Sequence, residues 1–147
     1  MKKIIVAATI AVIFFTAGMF VSSAFARQQQ TGYILEHEKD LRKNEPAPHN
    51  GGGMSTVYNF FMNATDSKLV FRKRVLHPGA AIGYHLQTNE EIYYILSGSG
   101  EITMNNKVFN VQGGDAILTF SGSSHGLKQT GKEDLVVLID YQKENKN

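Results

Sequence analysis

Four side chains suited to holding a divalent cation stand at two places in this chain. His85, Gln87 and Glu91 fall within one seven-residue stretch, and His125 stands far downstream. On an extended strand, even offsets put side chains on one face, so His85 and Gln87 point the same way. Glu91 joins them if Thr88-Asn89 turns the chain without losing register. Two imidazole nitrogens, an amide oxygen and a carboxylate oxygen suit Mn, Fe, Ni, Co or Zn, and donor type alone does not choose among them. Four protein donors on a +2 ion leave a site of net charge +1, with up to two octahedral positions for water or substrate. Such an ion polarises a carbonyl or supports redox chemistry on a small organic molecule. Gln87 has two readings: ligation through Oε1, or a hydrogen bond to a metal-bound water. Loss of the metal, with the pocket kept as an organic site, is a further alternative.

The surrounding spacing resembles the two motifs of the cupins. The first runs glycine, five residues, His-x-His, three or four residues, Glu, six residues, glycine. Gly79, His85, Glu91 and Gly98 fall on it, with Gln87 in place of the second histidine. The second motif is similar to Gly114 through His125, with Phe120 where a proline is usual and Gln129 in the asparagine place. The resemblance spans Leu69 to Tyr141. It implies an all-β fold, a single cupin double-stranded β-helix or jelly-roll barrel, with one divalent transition metal held by His85, Gln87, Glu91 and His125. It also implies a small-molecule ligand, and a homodimer is compatible with it. Cupins host oxygenation, isomerisation and decarboxylation as well as binding without turnover, so the resemblance leaves the catalytic residues open.

The elements that must position these residues read as short β runs from Ser55 onward. Thr56–Met62, Leu69–Leu76, Glu91–Leu96, Glu101–Met104, Lys107–Val111, Ala116–Phe120, His125–Gln129 and Leu135–Tyr141 are separated by glycine, asparagine or proline turns. With the strand carrying His85, that makes about nine strands and no long helix. Asn105-Asn106 suits a two-residue hairpin turn, because asparagine tolerates positive φ. Closing such strands into a barrel leaves an interior wide enough for a metal and a small ligand.

Upstream, residues 1–26 read as a signal peptide. Lys2 and Lys3 precede an apolar run from Ile4 to Val21, and Ala24-Phe25-Ala26 ends in a cleavage-type motif. An uncleaved anchor is the rival, since the run approaches the lower bound of about 18 residues for a spanning helix. Cleavage before Arg27 predicts an exported, periplasmic or secreted protein with no stable membrane anchor. Residues 27–54 form a polar arm, 55–142 the barrel domain and 143–147 a charged tail. Within the arm, Leu35–Lys43 suits one or two helical turns and Asn44–Gly53 a loop. His37 and His49 read as solvated, although the glycine-rich segment after His49 would let it close over a barrel mouth.

Composition narrows the function further. Lys2 and Lys3 account for the whole formal charge of +2, so the remainder is balanced and gives no support for nucleic-acid binding. There is no cysteine, hence no disulfide and no cysteine nucleophile. A phosphate loop and a serine-nucleophile elbow are also missing. In Val70–Leu76 either alternation places a basic residue inward: Arg72 and Arg74 with Leu76, or Lys73 with Phe71 and Val75. An inward arginine would suit an anionic substrate, whereas basic residues on an edge strand discourage pairing. Tyr58, Phe60, Phe61, Tyr84, Tyr93 and Tyr94 are candidates for an aromatic lining, and His77 reads as an exposed turn residue.

Overall fold

The computed structural model describes residues 31–65 and 67–143. The signal-peptide reading at 1–26 and all but Lys143 of the charged tail lie outside them. Among the described residues, no helix is long and apolar enough to cross a membrane. A single 3-10 turn, Glu38–Asp40, precedes ten strands among the described residues. These are β1 (Arg42–Pro46), β2 (Met54–Phe60), β3 (Leu69–Leu76), β4 (Ala81–Leu86), β5 (Glu91–Ser97), β6 (Ser99–Met104), β7 (Lys107–Gln112), β8 (Ala116–Thr119), β9 (Ser124–Gln129) and β10 (Leu135–Gln142). They form a six-stranded sheet, β1-β2-β3-β10-β5-β8, and a four-stranded sheet, β4-β9-β6-β7. Every strand pairing in these sheets is antiparallel. The result is an all-β jelly roll, as the motif spacing implies.

The strand beyond the expected nine is β1, in the stretch that reads as helical turn and loop. Arg-Lys-Asn-Glu-Pro carries no apolar alternation because it is an edge strand, exposed on most of its length. It pairs with β2 from Arg42↔Tyr58 to Pro46↔Met54. A lysine and a terminal proline are what such an edge tolerates. Here tertiary pairing overrides a pattern that lacks any local strand signal.

The core lies between the sheets. Leu76, Ile95, Ile102, Leu127, Leu135 and Val137 are at most 1% exposed. Each contributes about 1.5–3 kcal/mol by leaving water. Strand β3 runs between β2 and β10 rather than along an edge. That position overturns the edge-strand account of the basic cluster, and burial and the cavity lining show the inward set to be Arg72 and Arg74 with Leu76. Lys73 faces the other way, ion-paired to Glu38 and lying 4.4 Å from the Tyr58 ring centre.

Three local features hold the strand ends. Asn105 and Asn106 adopt φ of 46° and 66°, the left-handed pair expected for the β6–β7 turn. Gln129, which stands in the asparagine place of the second motif, is buried and ties two turns together. Its Oε1 accepts from the Gly79 amide, and its Nε2 donates to the carbonyls of Gly131 and Glu133. His77, against expectation, is half-buried: Nε2 lies 3.1 Å from Thr56 Oγ1 and Nδ1 lies 3.0 Å from Asp134 Oδ1. A turn residue beside proline is thus recruited to join β2 to the segment before β10.

Candidate metal centre

Strand β4 carries the first ligand candidate, and a bulge sets its direction. Ile82 pairs with Leu127 and His85 with His125, so β4 advances three residues while β9 advances two. One extra residue flips the alternation. Ile82 and His85 consequently both turn toward the interior, while Tyr84 is half-exposed. Without the bulge, parity would put Tyr84 inside and His85 outside.

The other ligand candidates come from β5 in the facing sheet and from β9 beside β4. Glu91 opens β5 and is buried, and His125 on β9 is 1% exposed. Ligand atoms of His85, Glu91 and His125 all lie within 4.8 Å of one another. The tautomer of His85 follows from its partner: Nδ1 sits 2.8 Å from the Gly83 carbonyl, a pure acceptor, so Nδ1 carries hydrogen. Nε2 of the neutral ring is left with its lone pair free for a ligand. His125 Nδ1 is engaged at 2.7 Å by the buried Thr119 hydroxyl, and Nε2 lies 3.1 Å from Glu91 Oε2. That last pair is close without aligning as a hydrogen bond, and Glu91 Oε2 is buried with no hydrogen-bond partner. An orphaned buried carboxylate oxygen facing two imidazoles is costly unless a cation completes it. The donor set therefore fits a divalent transition metal, with no preference among Mn, Fe, Ni, Co and Zn.

Gln87 lines the same cavity of about 280 Å³, together with His49, Arg72, Arg74, His85 and Glu91. Its backbone is pinned, its amide donating to Ser123 and its carbonyl accepting from Gly122. Three of the four sequence-derived candidates, His85, Gln87 and Glu91, thus line one cavity, and the fully buried His125 joins His85 and Glu91 in a tight cluster beside it. Among the aromatic candidates, Tyr93 lines this cavity, and Tyr84 and Tyr94 are exposed. Burial, then the negative charge of Glu91, pushes the Tyr93 phenol well above its ordinary value. It stays a neutral donor at any physiological pH.

Two cations complete the lining. Arg74 is 3% exposed; it donates to Ser55 Oγ at 2.7 Å and Glu45 Oε1 at 3.0 Å. Arg72 donates to the Tyr141 hydroxyl at 3.0 Å. The Nε of each is buried without a hydrogen-bond partner. The sequence narrows the choice to Arg72 and Arg74 or Lys73, and only the packed structure decides it.

The polar loop before β2 also reaches this site. Pro48 and His49 line the cavity, and the His49 ring stacks on that of His85, centroids 3.5 Å apart and planes 3° apart. Burial, then the neighbouring His85, hold the His49 imidazole below its ordinary pKa. The glycine run Gly51-Gly52-Gly53 was the one sequence signal for this approach.

A jelly roll with two histidines and a glutamate converging at one end of its interior defines a small cupin-fold domain. Comparison with known proteins agrees: residues 73–140 match the cupin domain family model. An oxalate-binding protein of Thermotoga maritima is 41% identical over 70 residues, covering 47% of this chain and 58% of that protein. The match thus spans less than two thirds of that relative's length. The crystal structure of a predicted oxalate decarboxylase from Thermotoga maritima superposes with a TM-score of 0.69 at 28% identity, covering 76% of this chain and all of that one. The polyketide cyclase RemF from Streptomyces resistomycificus has a TM-score of 0.66 at 20% identity, covering 79% and 83% of the two chains, and shares the fold alone.

Proposed function

We propose that this chain is an exported cupin that binds a small organic acid at a mononuclear divalent metal, with His85, Gln87, Glu91 and His125 as ligands. The observation that carries this reading is the buried Glu91 Oε2, without a hydrogen bond and close to two imidazoles, in a cavity walled by two arginines. A bound metal would supply a Lewis acid, or a redox centre if the ion is redox-active. Arg72 and Arg74 each offer a buried Nε–H donor, suited to a carboxylate that the site holds away from water. The substrate class is then a compact di-acid. Oxalate is the first to test, given the relative named as oxalate-binding. Isomerisation, decarboxylation and oxygenation are the reactions such a site serves.

Binding without turnover is the second reading, and one observation favours it. Glu91 is the one carboxylate among the described residues lining the cavity, so no second acid stands ready to shuttle protons. The experiment is metal analysis of protein purified without chelating resin, then calorimetric titration with oxalate and turnover assays. The expected result is one ion per chain and metal-dependent oxalate binding, weakened by Arg72→Leu. Stoichiometric metal in a His85→Ala, His125→Ala double variant would sink the ligand assignment. Binding without product would select the second reading.

A further inference from the structure

The loop between β1 and β2, residues 47–53, is built rather than slack. Pro48 O accepts from both Gly51 N, at 3.2 Å, and Gly83 N, at 3.0 Å. Ala81 N donates to Gly52 O at 3.1 Å and Ala47 N to Gly53 O at 3.0 Å, with the Ala47 side chain in the core. The loop thereby occupies the edge of β4 that no strand covers. Its approach is so close that only glycine is possible on either side. A Cβ on Gly51 would stand 1.8 Å from Ala81 O, and one on Gly83 would stand 1.9 Å from His49 O.

At the tip, His49 and Asn50 take φ of 54° and 56°, two successive left-handed residues in a Pro48–Gly51 turn. Each costs on the order of 1 kcal/mol, and neither is glycine. The conformation puts the His49 imidazole flat against His85. The same bulge joins the parts. Gly83 gives its N–H to the loop at Pro48 and its carbonyl to His85 Nδ1, so loop, bulge and ligand ring form one continuous chain of contacts. His85 also meets His125 edge-on, centroids 4.8 Å apart at 72°.

We infer that the 47–53 loop is part of the metal centre and that His49 is a positioning residue for His85, acting through the face of its ring. This rests on the metal-binding reading above. The parallel rings argue against a ligand role for His49 as placed: coordinating nitrogens bind within their own ring planes, and two parallel planes 3.5 Å apart do not meet at one ion. A flat plate on one face, a hydrogen bond at the edge and a perpendicular ring nearby hold His85 in one orientation. Supports of a ligand imidazole are typically worth 10–100-fold in metal affinity.

The test compares His49→Ala with His49→Phe on the purified protein. The first removes the plate, and the second keeps a flat ring but no nitrogen. Chelator-competition titrations with Mn, Co and Zn give affinity, and nitrogen-15 NMR of the metal-free protein gives the His85 tautomer. We expect His49→Ala to weaken metal binding about 10-fold and to mix the His85 tautomers. His49→Phe should recover most of both. A His49→Ala protein identical to wild type in both readouts overturns the inference. So does a phenylalanine variant as weak as alanine, which would assign the role to the ring nitrogens. If wild type takes up no divalent ion, the metal reading fails, and the metal-free tautomer measurement still decides the positioning role.

Discussion

The two ends of the barrel interior are made by the same strands and differ in almost every physical respect. At one end β3 contributes Arg72 and Arg74, β5 Glu91 and Tyr93, and β9 His125. Two residues further along, the same strands contribute Leu76, Ile95 and Leu127, each 1% exposed or less. These three side chains have no polar atom to satisfy and are held by packing. The polar end buries Arg74, Glu91 and His125 beside the partly buried Arg72 and His85, with Nε of both arginines and an oxygen of Glu91 lacking a hydrogen bond. Buried charge of that kind does little for stability and is weak evidence of a structural role. Alternation decides which side chains face inward; distance along the strand decides which chemistry they meet. The lesson is a division of labour: one end stabilises the barrel so that the other can keep reactive groups dry.

Breaking that division should produce effects of very different size. The largest is expected for His125→Ala, which removes a ligand and should cut metal affinity on the order of 1,000-fold, about 4 kcal/mol. Metal-free stability should change much less, because a partly unsatisfied cluster loses one member. Leu127→Ala, next to it on β9, should do the converse. It should cost about 2–5 kcal/mol of unfolding free energy by urea titration, with metal affinity per folded molecule unchanged. Equal loss of metal affinity in the two variants would show that the two ends are not separable.

A smaller effect should sharpen the polar end. Gln87→His adds a nitrogen donor that takes up a proton near neutrality, which glutamine does not. Tighter Zn and Ni binding is expected, with a steeper acid loss of metal between about pH 5 and 7, around the free histidine pKa of ~6.5. Metal competition at several pH values reads it. Unchanged affinity and slope would place Gln87 outside the set of ligands.

The smallest effect concerns the support behind Arg74. Burial pushes the Glu45 carboxyl up, but hydrogen bonds from Lys43 and Arg74 outweigh it and hold the group below its ordinary pKa. A carboxyl lowered in the folded state adds stability above its unfolded pKa of about 4.3 and loses it as pH falls below. Glu45→Gln should therefore flatten the acid limb of the stability curve by less than about 1 kcal/mol, since the Glu45 side chain is 27% exposed. Denaturation at pH 3 and pH 7 checks it; a larger loss at pH 7 would mean that Arg74 depends on this partner alone.

Much of this architecture is legible from residue order. Short β-rich runs between turn residues determine an all-β chain, Asn105-Asn106 determines its own hairpin turn, and two spaced motifs nominate His85, Gln87, Glu91 and His125. These are short-range properties: alternation, turn preference and fixed spacing act within a few residues. Everything that required one strand to know its neighbour was decided by tertiary structure. Strand β1 exists because β2 supplies its hydrogen bonds. Arg72 and Arg74 face inward because the folded barrel turns that face of β3, with Leu76, toward the opposite sheet. His77 is bound because Thr56 and Asp134 arrive beside it. Even the inward aim of His85, which looks like simple parity, depends on the bulge against β9, where Gly83 accepts contact from a loop more than thirty residues earlier. His49 reaches that ring for the same reason, since only a backbone already folded onto β4 can hold two left-handed residues over it.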